Sequence, residues 1–406
     1  MVNWKKNLIV IWLAQFLAIS GFAFSIPFVP FYFQELGITE GVQLKKYVAL
    51  FGSLAPLTLA ISSPFWGAVG DRYGRRLMLL RANFAASIIL TCMGLVSDAE
   101  LLLCLRAGQG IFTGTMTASQ TLVSVNTPEK KHGLALGALS SAIFSGSLFG
   151  AFVGGNFAEL YGHSNAFYLS GLLTFSSALL ILIGVREDFS PPKKVTRQKG
   201  EKYRIKSLLI NIGPAAPILV LLVAMSFTRQ FDNSFLPLLV QEVNGELQGS
   251  ASITGSLSAI GGLAGFFAGI IMGRLADRFS PPKIAMISAL FAGIFMLPQG
   301  FADGFLLIFI TRFFMIFFSG GLDPILQVWI AKVTPPHLRG SIFGWAGSAK
   351  AVGWMFAPVT SGAVAMMMGI RSIYWLGSCF FLLLIPMIYF VVQYLKTHMV
   401  VETTEK

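Results

Sequence analysis

The chain has 406 residues, of which 55% are hydrophobic and only 12% are charged. A soluble domain carries about 25% charged residues, so the composition excludes a water-soluble globular fold and points to lipid as the solvent. The net charge of +12 raises a nucleic-acid partner, but the basic residues are split among short loops, which argues against one.

A helix needs roughly 20 apolar residues to cross a hydrocarbon core of about 30 Å. In chain order, twelve stretches qualify: 8–34, 47–70, 77–97, 101–125, 133–156, 166–185, 214–241, 252–273, 284–301, 305–331, 341–364 and 371–395. Their apolar runs are long and continuous, unlike the short alternating strands of a membrane barrel. An all-α membrane protein with twelve transmembrane helices is therefore expected. Lys5-Lys6 and the apolar run after it resemble a signal peptide, but no small-residue cleavage site follows, so a retained first span is expected. The first and seventh spans are long enough to tilt, or to bend at their prolines. Cys92, Cys104 and Cys379 fall inside spans and are expected to be buried small hydrophobes, with no disulfide framework. His132, His163, His337 and His398 fall in loops or tails, without metal-ligand spacing.

With the N-terminus in the cytoplasm, only Lys45, Lys46 and Arg371 among the loop cations fall outside. This positive-inside asymmetry predicts that both termini are cytoplasmic. The segment from Arg186 to Lys206 is polar, basic and carries Pro191-Pro192. It divides the chain into a bundle over 1–185, a basic cytoplasmic linker over 186–210 and a second bundle over 211–406. The linker is either solvated or in contact with anionic lipid.

The two bundles repeat. Phe28-Val-Pro-Phe-Tyr-Phe-Gln-Glu-Leu36 matches Phe235-Leu-Pro-Leu-Leu-Val-Gln-Glu-Val243 at an offset of 207. Gly67-Ala-Val-Gly-Asp71-Arg72-Tyr73 matches Gly273-Arg-Leu-Ala-Asp277-Arg278-Phe279 at 206, and Arg106 matches Arg312 at 206. Gly133 and Gly137 match Gly340 and Gly344 at 207. A nearly constant offset means six spans plus six in the same orientation. Parallel repeats of this kind place a binding site at their interface, near the bilayer midplane.

Between spans 2 and 3 the sequence is Gly67-Ala-Val-Gly70-Asp71-Arg72-Tyr73-Gly74-Arg75-Arg76. A tight turn joins two antiparallel helices here, and its glycines permit close packing and unusual backbone angles. The pattern resembles the cytoplasmic loop signature of the major facilitator superfamily. The resemblance implies a latch between the halves, carried by Asp71 and Arg72 within that loop. Leu105-Arg106-Ala-Gly-Gln109-Gly110 in span 4 resembles the arginine motif of proton-coupled members. Gly146-x-x-x-Gly150-Ala151-x-x-Gly154-Gly155 in span 5 resembles the antiporter motif of drug:proton exporters, with Ala151 at the position of the motif's proline. Glycines at this spacing also suit plain helix packing. The resemblance covers essentially the whole chain. With Asn3-Trp4-Lys5-Lys6, Pro27-Phe-Val-Pro30-Phe-Tyr32 and Ser63-Pro-Phe-Trp-Gly67, the chain is similar to bacterial multidrug-resistance transporters of the twelve-span drug:proton antiporter family.

Charges inside a span are expensive and usually face a cavity. Arg229 and Asp232 lie three residues apart in span 7, on one helical face, where they can pair. Asp323 in span 10 and Lys350 in span 11 form a second possible pair. Asp232 and Asp323, either or both, are thus the candidate proton-coupling carboxylates, with Arg229 and Lys350 as their partners; Arg106 is a further candidate through its motif. The same pairs also suit fixed structural roles. In the family the resemblance indicates, spans 1, 4, 7 and 10 line a central cavity. Gln15, Phe28, Tyr32, Gln109, Phe235, Gln327 and Trp354 are the candidates for its lining.

The resemblance implies proton-coupled export of small lipophilic compounds by alternating access, in a bacterial cytoplasmic membrane and without a cofactor. No phosphate-binding loop of the G-x-x-x-x-G-K-[ST] type occurs, so the proton gradient is the expected energy source. The expected partners are a small-molecule substrate, protons and the bilayer, around a chain that acts as a monomer. An exporter of one endogenous metabolite, such as a siderophore or sugar, and a proton-coupled nutrient symporter remain alternatives. No clustered catalytic constellation supports an enzyme.

Overall fold

The computed structural model describes residues 4–128, 131–187, 216–333 and 339–404. Among these residues the structure is helical, and no strand occurs. The helices are α1 (Trp4–Ser25), α2 (Val29–Glu35), α3 (Gly41–Tyr73), α4 (Arg75–Leu95), α5 (Ala99–Phe112), α6 (Thr115–Asn126), α7 (His132–Tyr161) and α8 (His163–Gly184). After the expected linker, most of which lies outside the described residues, come α9 (Ala216–Gln230), α10 (Leu236–Asn244), α11 (Ser250–Arg278) and α12 (Pro281–Met296). The chain continues through α13 (Phe305–Val333), α14 (Arg339–Met368) and α15 (Arg371–Thr404).

Ten segments among the described residues are long and apolar enough to cross a bilayer unaided. The two remaining expected spans are broken helices. Span 4 is α5 plus α6, interrupted at Thr113-Gly114, where Gly114 takes φ +117°. Span 7 is α9 plus α10, interrupted over residues 231–235. Span 1 bends at the equivalent place, through a 3-10 turn at Ile26–Phe28 that joins α1 to α2. Both bends follow from sequence. Phe28 and Phe235 precede Val-Pro and Leu-Pro, and proline removes a backbone donor and clashes with the preceding turn. Phe28 and Phe235 accordingly share a nearly identical backbone, at φ −95°, ψ 3° and φ −106°, ψ −3°.

Lipid-facing sides are recognisable by side chains that would be anomalous in water. Ile183, Leu160 and Met367 are 81%, 76% and 85% exposed, and a bilayer satisfies such surface without burial. Cys104 and Cys379 belong to this exposed set and Cys92 is half-buried. The expectation of buried cysteines is therefore corrected: apolar character here means contact with lipid as readily as with the core.

Within the first half, α1 packs on α7 and α8, α4 on α8, and α3 on α5. Within the second, α11 packs on α13, α12 on α13 and α15, and α9 on α14 and α15. The halves meet along α7 with α11 and α3 with α14. Several hydrogen bonds join the halves at one end of the bundle. The Gln34 and Gln241 side chains, equivalent by the 207 offset, donate to one another at 2.8 and 2.9 Å. Lys45 Nζ donates to the Ala365 carbonyl at 2.9 Å. Glu159 accepts from the Gly249 and Ala251 amides at 2.6 and 3.3 Å, so α7 caps the N-terminus of α11. At the opposite end, a side chain built at Gly67 or Gly347 would meet no neighbour within 4 Å.

The span-5 glycines explain the tight α1–α7 pair. A Cβ at Gly146, Gly150 or Gly154 would sit 2.7, 2.4 or 2.4 Å from the carbonyl oxygens of Phe16, Ser20 and Phe24. One glycine per turn of α7 therefore tracks one backbone contact per turn of α1. Gly155 faces the other half, where a Cβ would lie 2.6 Å from the Ala251 carbonyl.

Candidate substrate and proton-coupling site

A cavity of about 610 Å³ lies between the halves. The bends of spans 1 and 7 supply part of its wall through Pro27, Pro30, Asp232 and Pro237. Spans 4 and 10 supply Arg106 and Arg312. Spans 5 and 8 also line it, with Phe144, Ser147 and Ala151 facing Thr254, Ser258 and Gly262. The expectation of a lining drawn from spans 1, 4, 7 and 10 is thus too narrow. Gly261, Gly262 and Gly265 on α11 leave room that larger side chains would fill.

Four charged side chains reach this cavity: Arg106, Arg229, Asp232 and Arg312. The expected pairing of Asp232 with Arg229 is overturned. The helix stops at Gln230, so the spacing of three residues no longer sets a shared face. Asp232 instead forms an ion pair with Arg312 Nη1, and the two side chains are only 4% and 5% exposed. The Asp232 carbonyl meanwhile accepts from the Phe235 and Leu236 amides at 3.0 Å each, which starts α10. The broken span thus fixes both ends of the residue. Arg312 is the site residue the sequence did not single out, although its repeat relation to Arg106 was visible.

Arg106 is held differently. Its Nε donates to the Phe51 carbonyl at 3.1 Å, its Nη1 donates to Gln109 Oε1, and its guanidinium lies 4.4 Å from the centre of the Phe51 ring. The contacts are all neutral. Lys350 Nζ lies 3.2 Å from Asp323 Oδ1, so the second expected pair meets, on spans 10 and 11. Asp323 is also within electrostatic range of Arg229. Neither Asp323 nor Lys350 is among the cavity-lining residues.

The other lining candidates sit elsewhere. Phe28 and Phe235 are fully buried, and Tyr32 donates to the Met93 and Val96 carbonyls at 3.1 Å each. Tyr32 ties the bend of span 1 to its own half, whereas Phe28 packs on Ala251 of the other half. Gln15 accepts from Ser119 Oγ at 2.7 Å in the span 1–span 4 contact, and Gln109 holds Arg106 from behind. Gln327 and Trp354 lie off the cavity, and Trp354 is exposed. The aromatic wall comes instead from Phe22, Phe51 and Phe144.

In the loop after span 2, Gly74 takes φ +96° and ψ 158°, a conformation nearly confined to glycine. The Arg75 and Arg76 amides, at the start of α4, donate to the Glu187 carboxylate at 2.9 and 2.8 Å. Arg76 also donates to the Leu182 carbonyl at 2.7 Å. The turn is thereby tied to the end of α8. The atoms nearest a side chain built at Gly70 belong to Met78 and Arg75 of the same half, and Arg72 is exposed. The Asp71 side chain lies outside the described residues. His163, expected in a loop, begins α8 buried, with Nδ1 2.7 Å from Glu35 Oε1. Among the described residues no cluster of three or more metal-ligating side chains occurs.

A membrane-spanning bundle of two similar halves, with a charged cavity at their interface, defines a secondary transporter. The family model described as Major Facilitator Superfamily matches residues 11–245 and again 221–405. The chain belongs to the Major Facilitator Superfamily. It is 30% identical to the multidrug resistance protein MdtG of Escherichia fergusonii over 381 residues, 93% of this chain and 92% of that protein. It is 31% identical to MdtG of an Escherichia coli strain over 376 residues, 92% and 91% of the two chains. Crystal structures of the nucleoside transporter NupG and of the human organic anion transporter MFSD10 (TETRAN) superpose with TM-scores of 0.75 and 0.70. They cover 97% and 96% of this chain and 100% of their own, at 14% and 15% identity, which is a likeness of fold.

Proposed function

We propose that this chain exports small lipophilic compounds across a bacterial cytoplasmic membrane in exchange for protons, by alternating access. The observation that carries this reading is the Asp232–Arg312 ion pair in the cavity wall between the halves. A buried carboxylate in an ion pair with a neighbouring arginine changes that partner's freedom when it takes up a proton. The pair joins the bend of span 7 to span 10, so protonation would loosen one helix against another next to the substrate. Likeness to MdtG multidrug-resistance proteins over nine-tenths of the chain supports export of drug-like compounds. With cytoplasmic termini, the end closed by Gln34, Gln241 and Glu159 is the external end, and the cavity serves the cytoplasmic side. The loop after span 2 would then act as the latch in the opposite, outward-open state.

Inside-out proteoliposomes with an imposed proton gradient test the reading. Lipophilic fluorescent compounds should accumulate while the gradient lasts and leave when it is collapsed. Accumulation unaffected by collapse of the gradient would contradict proton coupling.

A further inference from the structure

The charges on the cavity wall do not balance: three arginines face it against one aspartate. Arg312 is matched by Asp232. Arg106 has only neutral acceptors, and among the described residues no carboxylate is in ion-pair contact with Arg106 or Arg229. Asp323 is near enough to act electrostatically on Arg229, but Lys350 already holds it at 3.2 Å. Neutral acceptors satisfy the donors of a guanidinium without cancelling its charge, and charges taken out of water are normally paired. The rest of the wall is apolar, hydroxylic or amide-bearing, with Ile19, Phe22, Phe144 and Ile316 beside serines, Thr254, Gln230 and Asn233.

We infer that the transported compound is an amphipathic organic anion, with a carboxylate or sulfonate held by Arg106 and Arg229 and an apolar body against Phe22 and Phe144. This rests on the transport reading above and names its substrate class. The guanidinium fork matches the two oxygens of such a group. A volume of about 610 Å³ accommodates a drug-sized body. An organic cation would meet two unmatched positive charges and only the already-paired Asp232. Exchange of one anion outward for one proton inward also moves two charges per cycle, so membrane potential drives it more strongly than it drives a neutral compound.

Three dyes sharing one ring system and differing in charge test the inference: dansylate (a sulfonate), dansylamide (neutral) and dansylcadaverine (an ammonium). Initial gradient-driven uptake into inside-out proteoliposomes should be at least about tenfold faster for dansylate than for either other dye. Arg106→Gln and Arg229→Gln should each erase that preference, whereas Arg106→Lys and Arg229→Lys, which keep the charge, should restore much of it. Thermal unfolding profiles confirm that each variant is folded. Dansylamide or dansylcadaverine moving under the gradient as fast as dansylate would overturn the charge inference and leave the transport reading intact. A preference that survives in both Gln variants would overturn it equally. Gradient-independent uptake of all three dyes would remove the transport reading, and the charge inference with it.

Discussion

Asp232 and Arg312 are almost without solvent exposure, and each is the other's ion-pair partner. Removing one member of such a pair leaves an uncompensated buried charge, at a cost of about 3–5 kcal/mol. Asp232→Ala is therefore expected to lower the unfolding temperature sharply. Asp232→Asn, which still accepts from the guanidinium but leaves its charge uncancelled, should lose less stability than Asp232→Ala, and thermal unfolding in detergent separates the two. Arg106 is legible in the sequence through its motif, yet its setting is not. The ring and carbonyl of Phe51 come from span 2, some fifty-five positions away, and no local spacing announces that contact. The Arg229–Asp232 expectation failed for a related reason. Three-residue spacing implies a shared face only while the helix continues, and here it ends between them. The prolines that mark the break were visible, but where the freed side chain turns depends on a partner in span 10.

At the level of single elements, the glycines of α7 carry the clearest link between sequence and packing. Gly150 has no room for a Cβ, because the Ser20 carbonyl would lie 2.4 Å from it. Gly150→Val should force α1 and α7 apart and lower both expression and unfolding temperature, whereas Gly137→Val, where a Cβ meets nothing within 4 Å, should be tolerated. The α3–α4 turn makes a second prediction. Gly74→Ala places a side chain in a backbone region that costs on the order of 1–3 kcal/mol. Glu187→Ala removes the carboxylate that accepts from both amides at the start of α4, a capping loss of about 0.5–2 kcal/mol. Thermal unfolding of the two variants checks both magnitudes. The loop signature pointed to a latch between halves, but the tie to Glu187 was not legible. Glu187 stands more than a hundred residues further on, at the start of the stretch that the sequence marks only as a polar linker.

For the molecule as a whole, the repeat offset of 206–207 led to the expectation of a site between two similar halves, and a cavity lies there; the bends of spans 1 and 7 were one of two outcomes their length and prolines allowed. The Gln34–Gln241 contact joins two residues equivalent by that offset, as residues related by a two-fold axis meet where they approach it. The offset could not tell which end of the bundle is closed, because under the proposed alternating access the same sequence must satisfy both closed ends in turn. The closed end depends on few bonds, and Glu159 makes two of them. Glu159→Ala should shift the population towards separation at this end. Spin labels at positions 161 and 247, in a protein lacking Cys92, Cys104 and Cys379, should report a longer or broader distance distribution. An unchanged distribution would mean that the other contacts suffice.

Proton movement accompanying substrate movement probes the coupling most directly. Proteoliposomes loaded with a pH-sensitive dye and given an outward substrate gradient should take up protons as substrate leaves. In Asp232→Asn, that proton uptake should vanish while exchange of labelled for unlabelled substrate continues. Full proton uptake in the Asp232→Asn protein, at the same ratio to substrate as in the unaltered chain, would contradict the assignment of coupling to the Asp232–Arg312 pair.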